Sequence, residues 1–191
     1  MPIRMLVPLA TVVLPLLAAV AVAASGPSAA PRGARLPSVK GNSLDGSTVR
    51  LPEDLRGAPA LLLVAYRRGT QEDVDRWLGW ASTNAPGLKC LEVPAISSLV
   101  WRPLASWIDG GMRRGVPQAQ WSSVVTLYDD APVLREFLGD FGGYNTHAVL
   151  LDDAGQVAWF HAGGFSEGAA KDLAEALASL PSPPSAVRRL P

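Results

Sequence analysis

The spacing of apolar residues changes repeatedly along this chain, and each change marks an element. Residues 60–66 read ALLLVAY, an unbroken apolar run. Such a run is the pattern of a central strand covered on both faces. From residue 70 the period lengthens. Val74, Trp77, Leu78 and Ala81 share one helical face, which predicts a helix over 70–83. Thr70 stands where it caps that helix, and Glu72 and Asp73 face its dipole. Pro86-Gly87 ends the unit, and 88–93 is a second strand containing Cys90. Residues 97–108 predict another helix, with Pro103 near its start and Asp109-Gly110-Gly111 as its stop. A third strand is expected over 124–128 and a short helix over 133–138. A fourth strand, 146–151, turns through Asp152-Asp153-Ala154-Gly155 into a fifth, 157–162. Alternation on the fifth puts Val157, Trp159 and His161 on one face. Ser166 caps a last helix whose buried stripe is Ala169, Leu173, Ala176, Leu177 and Leu180. Ahead of all these, Asp45-Gly46 between alternating segments signals a hairpin over 44–51. Strands alternating with helices argue for an α/β layer fold with parallel pairs.

The ends follow different patterns. Residues 1–4 carry one charge, Arg4, and 5–24 carry none, being mostly Leu, Val and Ala. Ala21-Val22-Ala23 supplies the small residues a signal peptidase reads, so 1–24 is expected to be a signal peptide or a membrane anchor. Either predicts an exported chain, periplasmic or held at the outer face of the inner membrane, with membrane association through 5–24. Residues 25–35, rich in Ser, Gly, Pro and Ala, read as a linker. Residues 181–191, with four prolines and Arg188-Arg189, read as a disordered tail. One folded domain over 36–180 remains. The chain is 48% hydrophobic, enough for a core, and its formal net charge is zero. It lacks the basic balance of a nucleic-acid binder.

The order of elements resembles the thioredoxin superfamily. The run Leu44-Asp45-Gly46, Val49-Arg50-Leu51 and Leu55-Arg56-Gly57 before ALLLVAY is similar to the N-terminal extension and first core strand of exported thioredoxin-like and peroxiredoxin-like proteins. His147 to Val157 resembles their closing hairpin, and Gly163-Gly164-Phe165-Ser166 the approach to their last helix. The resemblance implies a thioredoxin-like fold, a mixed central sheet flanked by helices with an N-terminal β-hairpin extension. A narrower likeness joins the segment from Ile108 to Pro117, with Val124 to Tyr128, to the thioredoxin-like family that includes the mitochondrial ATP synthase assembly factor.

Thioredoxin-type chemistry needs a cysteine at the N-terminus of the first helix, where the dipole stabilises its thiolate, and a second cysteine to complete the exchange. Here that stretch is Tyr66-Arg67-Arg68-Gly69-Thr70-Gln71-Glu72, and Cys90 is the chain's one cysteine. Gly69 and Thr70 thus hold vacant redox positions. The resemblance places His147 where such proteins carry a cis-proline. Two histidines and one cysteine do not make a zinc or copper set, so no metal and no cofactor are expected.

What remains is binding chemistry. Arg67 and Arg68 beside a helix N-terminus suit a carboxylate or phosphate. The segment Asp109, Gly110, Gly111, Met112, Arg113, Arg114, Gly115 and Pro117 is expected to be a fixed loop presenting its arginines, and is the first choice for a partner site. Trp80 lies off the stripe set by Trp77, where an exposed indole suits protein recognition. These features favour a non-catalytic protein of the cell envelope. Its partner would be an envelope or membrane protein, bound in an assembly or chaperone-like role. The alternatives are a single-cysteine oxidoreductase or peroxidase using Cys90, and an anion or small-ligand binding domain.

Overall fold

The computed structural model describes residues 31–67, 69–96, 105–139 and 145–181. The expected signal or anchor, Arg68, residues 97–104 of the helix expected over 97–108, and 182–191 of the expected tail lie outside them. A hairpin of β1 (Val39–Ser43) and β2 (Thr48–Leu51) leads into β3 (Ala60–Ala65). There follow α1 (Gln71–Asn84), β4 (Lys89–Pro94), α2 (Ala105–Gly115), β5 (Val125–Thr126) and α3 (Ala131–Leu138). β6 (His147–Leu151), β7 (Val157–His161) and α4 (Glu167–Ser179) complete the domain. The strands are ordered β2-β1-β5 and β4-β3-β6-β7. Parallel bridges Glu92–Val124 and Ala95–Leu127 lay β5 beside β4, joining the two sheets. β3 and β4 are parallel, while β6 and β7 run antiparallel to their neighbours.

The unbroken apolar run is unbroken because β3 is interior and covered twice. Leu62 and Val64 enter a core closed by the N-terminal hairpin and by Ala131, Leu134 and Leu138 of α3. Leu61 and Leu63 enter a second core under Val74, Trp77 and Ala81 of α1 and Ala169, Ala170 and Leu173 of α4. All four β3 side chains are fully buried, each stabilising the fold by about 1.5–3 kcal/mol. β4 is asymmetric. Leu91 and Val93 are buried in the first core, but Cys90 and Glu92, on the α1 side, are only half-covered.

Three expectations are corrected. First, the strand over 124–128 shrinks to Val125–Thr126, with single bridges on either side. Second, Val157 does not share a face with Trp159 and His161. The register shifts between Leu150 and Leu151, a bulge that puts Val157 in the first core and Trp159 in the second. Third, Asp109-Gly110-Gly111 does not stop a helix, because α2 runs through it to Gly115. Neither Gly110 nor Gly111 has a positive φ. Their low helix propensity, about 1 kcal/mol each against alanine, is overridden by tertiary anchoring further along.

Candidate functional site

β3 delivers the chain to the N-terminus of α1 through Tyr66, Arg67 and Gly69. Thr70 sits at the cap position and is buried, but it does not cap. Its hydroxyl turns back and donates to the Arg67 carbonyl at 3.2 Å. Gln71, the first helical residue, donates its side-chain amide to Asp75 Oδ1 at 2.9 Å.

Asp73, expected only to face the helix dipole, is the organising residue. Its Oδ2 accepts the Thr146 backbone N–H at 2.9 Å, and its Oδ1 accepts the Phe165 N–H. One carboxylate therefore ties the first turn of α1 to the residues ahead of β6 and of α4. Gly164 makes this possible: its φ is +76°, and a Cβ there would stand 3.2 Å from both Asp73 oxygens.

Beside Thr146, His147 is the first residue of β6 and is buried. Its ring meets Tyr66 edge-on at 5.0 Å and Phe160 at 5.8 Å. Tyr66 in turn lies under the Arg135 guanidinium at 4.7 Å and donates its hydroxyl to the Leu134 carbonyl at 3.4 Å. The ground between helix N-terminus and β6 is thus packed with aromatic and carboxylate groups rather than thiols. His161, half-buried, stacks on Trp159 at 5.9 Å and meets Trp77 edge-on, beside the second core. Among the described residues no group of His, Cys, Asp and Glu is arranged to hold a metal ion.

The expected binding residues are scattered. Arg67 is exposed in the loop after β3. Arg113 is not presented from a loop. It lies in the last turn of α2, its Nε donates to the Leu44 carbonyl at 2.7 Å, and its guanidinium lies 5.7 Å from the Trp121 ring. Trp121 Nε1 donates to the Val116 carbonyl at 2.9 Å, which locks the same corner. Arg113 therefore fastens α2 to the turn of the N-terminal hairpin. Met112 is half-buried, while Gly111, Arg114, Gly115 and Pro117 are exposed along the end of α2 and just past it. Trp80 is half-covered rather than exposed.

Cys90 belongs to another place. It lines a groove bordered by the later turns of α1, away from Gly69 and Thr70. Burial pushes its thiol above the ordinary 9.0. Glu92, two residues on, also lines the groove, and burial raises its carboxyl above the ordinary 4.5. A hydrogen bond from Gln71 opposes that rise, and the nearby Asp75 charge adds to it. Glu92 was missed in the sequence. The available signal was a charged residue on a strand position whose neighbours alternate with the core.

No protein-family model matches this chain, and no curated protein matches it. Solved structures do. The thioredoxin domain of a thiol-disulfide oxidoreductase from Bacteroides vulgatus is similar at TM-score 0.53 and 17% identity, over 78% of this chain and 99% of that one. A thiol:disulfide interchange protein DsbE from Chlorobium tepidum gives 0.52 and 17%, over 78% and 97%. BsSco, of the Sco family of cytochrome c oxidase assembly proteins, gives 0.54 and 12%, over 79% and 97%. At these identities the likeness is one of fold, and the fold is thioredoxin-like.

Proposed function

We propose that this chain is a non-catalytic, exported thioredoxin-fold protein that binds another protein as an assembly or chaperone-like factor of the cell envelope. The observation that carries this reading is the double engagement of Asp73. A redox member of the fold needs a stabilised thiolate in the first turn of the helix. Here that turn holds a carboxylate, spent on two backbone N–H groups, one of them on the residue before His147. A fixed negative charge at this point opposes thiolate formation, and Cys90, half-buried with its thiol raised by burial, lies elsewhere.

Support for export is the charge-free apolar stretch at 5–24 behind Arg4. The likeness to BsSco, a member of the Sco family of cytochrome c oxidase assembly proteins, supports an assembly role. The candidate partner residues are Arg67 and, separately, Gly111, Arg114, Gly115 and Pro117, exposed along the end of α2 and just past it.

Cross-linking of the tagged protein in its own envelope, followed by mass spectrometry, tests the reading. The expected result is a specific partner, lost or reduced in an Arg67→Ala/Arg114→Ala double variant. Insulin reduction and peroxide consumption are expected to stay at background. Activity in either assay that Cys90→Ala abolishes would overturn the reading in favour of a single-cysteine oxidoreductase.

A further inference from the structure

The half-covered face of β4 opens into a groove of about 500 Å³. Leu78 and Ala81 of α1, Leu88 ahead of β4, and Val124 form apolar walls, and Cys90 and Glu92 lie along β4 at its floor. The floor is acidic. Glu92 has Gln71 and Asp75 for neighbours. Among the described residues neither Glu92 nor Asp75 takes part in an ion pair. Lys89, the nearest cation along the strand, lies towards Asp54 instead. A carboxylate withdrawn from water is ordinarily paired with a cation. Among the described residues the protein supplies a hydrogen bond and a second carboxylate instead.

We infer that this groove takes an extended segment of a partner protein that presents an arginine or lysine to Glu92, with apolar residues flanking it. Such a residue complements both halves of the site. Its aliphatic stem covers Leu78, Ala81 and Leu88, while its charged head reaches the carboxylate. Arginine fits better, because its planar fork engages a carboxylate through two hydrogen bonds and is more weakly hydrated. This inference rests on the protein-binding reading above and gives the partner a chemistry.

Cys90 is a built-in reporter, because a segment seated on the floor shields its thiol. The probes are two pooled hexapeptide libraries, randomised at the flanks and fixed in the centre as arginine or as glutamate. Alkylation of Cys90 in the full-length protein is timed with each. The arginine pool is expected to slow alkylation about tenfold more than the glutamate pool, a contrast that Glu92→Gln removes. Equal protection by the two pools, or an arginine preference that survives Glu92→Gln in a folded variant, would overturn the inference. Envelope cross-linking separates this failure from the broader one. A partner captured equally by wild type and Glu92→Gln leaves protein binding standing and moves it off this groove. Absence of any specific partner counts against both.

Discussion

Two carboxylates flank the α1 layer, and they are treated in opposite ways. Asp73, in the first turn of the helix, accepts two backbone N–H groups brought from far along the chain. Glu92, on the neighbouring strand β4, has one amide, a second carboxylate and an open groove. The first is consumed by the fold, and the second is left over by it. Charge that a fold uses up holds loops together; charge that it shelters without a partner is available for recognition. By this distinction the N-terminus of α1 is held by the fold, and the groove beside β4 is the better place to look for a ligand.

The largest expected effect breaks the structural half of the comparison. Asp73→Ala leaves the Thr146 and Phe165 N–H groups without their acceptor. It should cost about 3 kcal/mol, the sum of two charge-assisted hydrogen bonds. Urea unfolding would measure it, and a loss within experimental error would mean the clamp does not hold the loops. Arg113→Ala should cost about 1–2 kcal/mol, since it removes one hydrogen bond to Leu44 and the contact with Trp121. A variant as stable as wild type would return Arg113 to the list of residues held only for a partner.

Glu92→Gln should act in the other direction and more weakly. The folded carboxyl is raised above its ordinary value by burial, so the folded state binds its proton more tightly than the unfolded chain does. Its contribution is fully present below the ordinary carboxylate value of 4.5 and is lost as pH rises through the raised folded value. Glutamine mimics the protonated form. The variant should gain on the order of 1 kcal/mol at neutral pH and nothing at pH 4. Paired unfolding curves at the two pH values check this, and an equal gain at both would show that charge is not the cause.

Much of this arrangement was legible in order but not in contact. The run ending at Tyr66 and the spacing of Val74, Trp77 and Ala81 announce β3 and α1, because local periodicity reports burial directly. The cap at Ser166 was also readable, and its Oγ accepts the Ala169 N–H. The bulge between Leu150 and Leu151 was not, because one inserted residue leaves the apolar count unchanged while moving Val157 to the other face. The persistence of α2 through Gly110 and Gly111 was hidden for a similar reason, since Arg113 anchors it to Leu44, 69 residues away. The single cysteine was plain from composition. The clamp at Asp73 was not: its partners stand 73 and 92 positions further on. Thr70, an ordinary capping residue by type, spends its hydroxyl on the Arg67 carbonyl.

The smallest expected effect sharpens the recognition half. Cys90 and Glu92 line one groove, and burial raises the thiol above its ordinary 9.0. At neutral pH the thiolate fraction is therefore below that of a free cysteine, and alkylation, which the thiolate carries out, should be correspondingly slow. A neutral alkylating reagent should react more slowly with Cys90 than with a small free thiol at pH 7.5, and its rate should still be climbing at pH 9. Burial is the cause of the raised thiol, so Glu92→Gln should change the rate at pH 7.5 by less than about twofold. Asp73→Asn, altered on the far side of the same helix layer, should leave the rate unchanged. If both variants changed it equally, loosening of the domain would explain the reactivity. A larger change confined to Glu92→Gln would tie Cys90 to the electrostatics of the groove instead.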